Sequence, residues 1–179
     1  MKKLLTILTT LLLLTGCETM YNTPTKQVEF FLADYQTLNE DVMDDLDKVV
    51  QEEELFNSEQ RKRYRELMKK HYQELVYNVK EEEINADKAI VTVEIEVRDY
   101  AKVFEQAEKE LNDHPEKFQN EKGEYDEEKY LNYRLEQMEK TKDRVKYTME
   151  MNLTKDGEEW ELDDLTEEQE DKIHGIYKY

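Results

Sequence analysis

The chain has 179 residues, 45 Asp and Glu against 26 Lys and Arg, and a net charge of −19. That length allows one well-filled domain but not the two lobes of a solute-binding transport protein. The charge excludes nucleic acid, whose phosphates need a basic face, and it excludes electrostatic attraction to anionic lipid. Such acidity borders on disorder, yet 4 Gly, 2 Pro, 12 Tyr and apolar residues at regular periods describe a folded domain with a solvated surface.

The chain opens with Lys2 and Lys3, followed by an apolar run from Leu4 to Leu14 and a small residue, Gly16. This is secretory signal architecture, too short to span a bilayer as a permanent helix. The run Leu14-Thr15-Gly16-Cys17 resembles the lipobox of bacterial lipoproteins. The resemblance implies a diacylglycerol thioether on Cys17 and cleavage between Gly16 and Cys17. It places the mature protein on the cell membrane, facing outside the cytoplasm. Two acyl chains are what stable anchoring requires. Cys17 is the single cysteine, so acylation leaves no thiol for a disulfide, a metal or a nucleophile. The chain divides into a signal peptide (1–16), a tether (17–23) and one domain (24–179).

Thr23-Pro24 reads as an N-cap with proline in the first turn. Val28, Phe31, Leu32, Tyr35 and Leu38 follow at helical spacing, with Val42, Leu46 and Val49 continuing the stripe past a break at Asn39. Ser58 is the next expected cap, ahead of Tyr64, Leu67, Met68, His71, Tyr72 and Leu75 on one helical face. The period then changes to two: Leu75, Tyr77 and Val79, a turn at Asn85-Ala86-Asp87-Lys88, then Val91, Val93, Ile95 and Val97. A helix is expected over Ala101 to Asn112, ended by His114-Pro115. An exposed polar connection over 116–125 leads to a further helix from Asp126 to Asp143. Val145 to Leu153 alternate again, Asp156-Gly157 turns the chain, and Trp160 and Leu162 begin the return. Thr166 with Gln169 forms a capping box for a last helix ending near Gly175.

Strands with one wet face need helices on the other. The fold class is therefore α+β: N-terminal helices packed on a curved, cone-like antiparallel sheet, with two hairpins separated by a helical section. The stretch NLTKDGEEWELDDL (152–165), after N-terminal helices and an earlier hairpin, resembles the nuclear transport factor 2-like superfamily. That resemblance implies a sheet wrapped round a long helix, often enclosing a pocket in which an Asp, His or Tyr does chemistry. The helical section over 101–143 exceeds that pattern.

The inferred inner strand face carries no carboxylate or histidine, and Tyr147 is its one titratable group. His71 is the helical candidate for a polar spot, beside Tyr72, and histidine titrates near neutral pH. Its plainer reading is a half-exposed histidine at the core edge. A candidate pocket would take His71, Tyr72, Tyr147, Met149 and Trp160. His114 and His174 are too isolated for a metal site. Asn152, Thr154, Asp156 and Asp163 imitate a calcium loop, but hairpin spacing pulls them apart. Arg61, Lys62, Arg63, Arg65, Lys69 and Lys70 form a basic island, read as the wet side of a helix or as a docking face for an anionic partner. The expectation is a non-enzymatic, membrane-anchored binding protein with no cofactor or metal. Its partners would be the membrane, through Cys17, and an envelope protein or small apolar ligand. The alternatives are a small-molecule carrier with a cone pocket and a cone-fold enzyme using His71 or a buried tyrosine.

Overall fold

The computed structural model describes residues 22–178; Gly16 and Cys17 lie outside them. Thr23 does cap the first helix, α1 (Pro24–Thr37), its side chain accepting from the Lys26 amide. Leu38 adopts a left-handed conformation, and Asn39 then caps α2 (Glu40–Glu52). The stripe read from the sequence therefore breaks where expected, but its phase restarts. Leu46 and Val50 face inward while Val49 is exposed, because a new helix need not keep the register of the old one. The cap of α3 (Ser58–Gln73) is Asn57 rather than Ser58, and Gln60 completes a capping box with it.

Two hairpins supply the sheet. Strands β1 (Val76–Asn85) and β2 (Lys88–Arg98) are joined to β3 (Arg144–Asp156) and β4 (Glu159–Leu162) in the order β1-β2-β3-β4, antiparallel throughout. A bulge between Val79 and Glu81 breaks the β1–β2 register, which bends the strand and increases its twist. The run Glu81 to Glu83 lies exposed on this edge strand, where like charge discourages pairing with another chain. Between the hairpins run α4 (Tyr100–Asp113), a short 3₁₀ turn (Pro115–Phe118) and α5 (Glu127–Lys140). Helix α6 (Glu167–His174) closes the chain with the expected Thr166/Gln169 box. The chain is thus α+β, with six helices among the described residues.

The connection over 116–125 is not simply a polar loop. Phe118 is buried, edge-on to Tyr130 and Tyr133 at 5.5 and 5.3 Å. One ring in a polar stretch carries no periodicity, so its burial depends on partners met only in the fold.

Two cores result. The first lies on the inner sheet face, where Val91, Val93, Ile95, Val97, Met151 and Leu153 have 0% exposure beneath Val28 and Leu32 of α1 and Ile173 of α6. Full burial of such side chains contributes about 1.5–3 kcal/mol each. The second lies among α2, α3, α4 and α5, around Leu46, Val50, Met68, Tyr72, Leu131 and Leu135. The outer sheet face is wet and ion-paired: Glu94 with Lys80 and Lys146, Glu96 with Arg144.

Residues 173–177 join the cores. Ile173 belongs to the sheet core and Ile176 packs on the helical one. Between them Gly175 (φ +71°) accepts a hydrogen bond from the Ala101 amide at 2.8 Å. A Cβ on Gly175 would stand 2.1 Å from the Arg98 carbonyl oxygen, whereas one on Gly157 (φ +62°) meets nothing within 4 Å. Gly157→Ala should therefore cost about 1 kcal/mol, the left-handed strain alone. Gly175→Ala should cost about 1–3 kcal/mol more through the clash. Urea unfolding of the two variants measures the difference, and equal costs would contradict a seam packed this closely.

Candidate functional site

His71 has 0% exposure and lies in the last turn of α3. It is more deeply placed than a core-edge histidine, because α6 covers the face that the sequence pattern leaves open. Its Nε2 lies 2.8 Å from the Ile173 carbonyl oxygen. That oxygen can only accept, so Nε2 carries the proton and Nδ1 holds a lone pair. Nδ1 is buried and has no hydrogen-bond partner among the described residues. The ring stacks on Tyr100 at 4.9 Å and meets Tyr72 edge-on at 5.8 Å. Burial pushes its pKa down from 6.5 to about 3, against the smaller opposing effect of the Ile173 bond.

A groove opens on each side of this ring stack. Tyr100 lines the first, about 350 Å³, bounded by Lys62, Arg63 and Lys70 of α3, Arg98 at the end of β2 and Glu139 of α5. Tyr72 lines the second, about 380 Å³, with Tyr35 of α1, Leu46 of α2, and Glu170 and His174 of α6. His174 comes within 5.8 Å of Tyr72, and burial lowers its pKa to about 4. Burial, then the nearby carboxylates Glu170 and Asp45, push Tyr35 up to about 12. Burial likewise raises Tyr72 and Tyr100 above the ordinary value. At neutral pH both histidines are therefore uncharged and these tyrosines keep their protons, which suits packing and hydrogen bonding.

The remaining candidates lie elsewhere. Tyr147, Met149 and Trp160 belong to the sheet core, apart from His71 and Tyr72, so the five residues do not share one cavity. The Tyr147 hydroxyl donates to the Tyr177 carbonyl at 3.0 Å. Trp160 packs under the Lys155 ammonium at 5.7 Å. In the hairpin that imitates a calcium loop, the Thr154 hydroxyl donates to Asp163 at 2.6 Å. Among the described residues no three His, Cys, Asp or Glu side chains are placed to hold a metal ion.

The basic island divides by chemistry. Arg65 makes two bonds to Asp47, at 2.5 and 3.0 Å, which hold the Asp47 carboxyl below its usual range. Arg63 pairs with Glu139 at 3.0 Å, Lys69 with Glu66 at 3.1 Å, and Arg61 donates to the Glu53 carbonyl. Lys62 and Lys70 are exposed and have no ion pair among the described residues; both line the first groove. Sequence reading marks the island but not this division, since Asp47 and Glu139 approach from 18 and 76 residues away.

No family model, no curated protein and no solved structure matches this chain.

Both histidines bind protons more readily when unfolded, since their folded pKa values lie below 6.5. Stability from this source is therefore complete above about pH 6.5 and is lost as pH falls towards 4 and then 3. Each group contributes a slope of up to about 1.4 kcal/mol per pH unit in that window. His71→Gln, which can still donate to Ile173, should flatten the pH dependence of the urea midpoint between pH 5 and 6.5. An unchanged slope would show that His71 is charged in the folded protein.

Proposed function

We propose that this chain is a lipid-anchored, non-catalytic binding module held on the outer face of the cell membrane. The observation that supports it best joins the two ends of the tether. The Leu14-Thr15-Gly16-Cys17 run ends five residues before Asn22, where the chain is fixed to the fold. The Asn22 side chain donates to the Glu158 carbonyl at 2.6 Å and accepts from the Trp160 amide at 3.0 Å. It thereby pairs with the edge strand β4 much as another strand would. Beside it, the Thr25 amide and hydroxyl both donate to Glu82 of β1, at 2.8 and 2.7 Å, which places a carboxylate at the N-terminus of α1.

An acylated Cys17 would then hold the domain on a leash of at most about 18 Å, the span of five extended residues. The hairpin-turn end of the sheet, where Asn22 sits, would be nearest the membrane. Glu158, Glu159 and Glu161 flank that point, so contact with anionic lipid would be repulsive and the acyl chains alone would anchor. The packed inner sheet face and the neutral, enclosed His71 favour binding on the outer grooves over carriage inside a cone or catalysis.

Intact-mass analysis of membrane-extracted protein tests the anchor. The parent should begin at Cys17 and carry diacylglycerol, whereas Cys17→Ser should keep residues 1–16 and lack the lipid mass. Mature parent protein with an unmodified Cys17, or with a different first residue, would end the proposal.

A further inference from the structure

We propose that the groove between α3 and α5 binds a phosphate-bearing ligand through the ammonium groups of Lys62 and Lys70 and the hydroxyl of Tyr100. This deepens the binding role proposed above and rests on it for orientation alone.

Three observations converge on this groove. Lys62 and Lys70 lie eight residues apart on α3, about 12 Å along the helix, and both line the groove with no ion pair among the described residues. The neighbouring carboxylates are committed: Glu139 to Arg63 at 3.0 Å, Glu66 to Lys69 at 3.1 Å, and Glu74 to Arg98 at 2.6 Å. Tyr100 has 1% exposure and lines the groove, and its hydroxyl has no hydrogen-bond partner among the described residues. Tyr100 thus lines the same groove as two lysines that have no ion pair among the described residues, and its hydroxyl is a donor not already committed.

The chemistry of these donors selects the ligand class. The planar forks that recognise carboxylates two bonds at a time belong to Arg63 and Arg98, and both are occupied. Lysine ammoniums act as point charges on flexible stems, able to converge on one tetrahedral phosphate or to reach two. A volume of about 350 Å³ admits a small phosphorylated molecule or a short stretch of a phosphate polymer. Glu59, at the start of α3, is the carboxylate of the lining without an ion pair among the described residues, and it opposes such a ligand.

Position distinguishes the source of the phosphate. Arg98 ends β2, while Asn22 is bonded at the hairpin-turn end of the sheet, the end where β2 begins at Lys88, about 34 Å from Arg98 along the strand at 3.4 Å per residue. The groove therefore lies at the end of the sheet remote from the proposed anchor, which favours a phosphate other than that of its own lipid headgroups.

Calorimetric titration of the purified full chain with inorganic polyphosphate is the test. Polyglutamate serves as the carboxylate control, and phosphatidylglycerol vesicles serve as the headgroup control. Polyphosphate should bind, polyglutamate should bind at least about tenfold more weakly, and vesicles should add nothing beyond acyl insertion. Lys62→Gln/Lys70→Gln should weaken polyphosphate binding at least about tenfold. Tyr100→Phe should weaken it severalfold while keeping the ring stack on His71, and Glu59→Gln should strengthen it. Lys109→Gln/Lys122→Gln, outside the groove, should change nothing. Absence of polyphosphate binding by the parent would overturn the proposal, as would equal binding of polyglutamate or equal loss in the outside pair. Headgroup binding that depends on Lys62 and Lys70 would overturn the assignment of source. None of these outcomes bears on whether Cys17 is acylated.

Discussion

The fold depends on one short segment, Ile173 to Tyr177, seated where the two cores meet. Ile173 fills the sheet core, and its carbonyl accepts a hydrogen bond from His71 Nε2 at 2.8 Å. Gly175 lies against the Arg98 backbone closely enough to exclude any side chain, and its carbonyl accepts from Ala101. Ile176 enters the helical core, and the Tyr177 carbonyl accepts from Tyr147. Five residues thus bond to α3, α4 and β3 and pack against both cores. Tyr35 of α1 also packs against both cores and meets Tyr72 edge-on at 5.0 Å. The seam ties the cores together, and it favours a neutral His71, since an imidazolium there would be a buried charge without a carboxylate partner among the described residues.

This requirement explains why chemistry suggested by residue type does not follow from residue type. A histidine beside a tyrosine on an apolar helix face has the ingredients of a general base. Here the proton-bearing nitrogen is committed to a backbone carbonyl and the other nitrogen is enclosed. A lone pair left without a donor costs about 1–3 kcal/mol, offset by the stack on Tyr100 and the bond to Ile173. The ring instead holds Tyr100 and Tyr72 in place, and those two rings line the grooves on either side.

What the sequence discloses is what short-range periodicity can encode. The two-residue alternation of Val91 to Val97 and of Tyr147 to Leu153 states which face is buried, and the structure buries that face. The helix break at Asn39 and the Thr166/Gln169 box are local hydrogen-bond chemistry, complete within a few residues. Failures occur where a feature depends on a distant partner. Val50 replaces Val49 because helix phase after a break is set by the neighbour it packs on. Phe118 is buried because Tyr130 and Tyr133 arrive from α5. The grooves are wholly of this kind: their walls come from α3, the β2–α4 junction and α5, or from α1, α2, α3 and α6. The sequence shows a basic island but not which of its charges remain available.

That availability has an electrostatic logic. In a chain of net charge −19, the surface ion pairs are mostly exposed and individually modest. Around α3 arginines take the nearby acids, with two-bond geometry at Asp47 and contacts of 3.0 and 2.6 Å at Glu139 and Glu74, and Lys62 and Lys70 have no ion pair among the described residues. The arginine pairs fix α2, α5 and β2 around α3, and in doing so they leave positive charge uncancelled between them. Uncancelled positive charge within an acidic surface has a short range, since salt screens it beyond roughly a Debye length, about 8 Å at physiological ionic strength, and within that distance the surrounding carboxylates oppose it. A ligand must therefore enter the groove to gain from it. Under the phosphate-binding proposal the general acidity of the chain acts as a filter: it discourages loose association of anions with the surface, while the cleft between α3 and α5 offers a compact anion two lysines without ion pairs among the described residues.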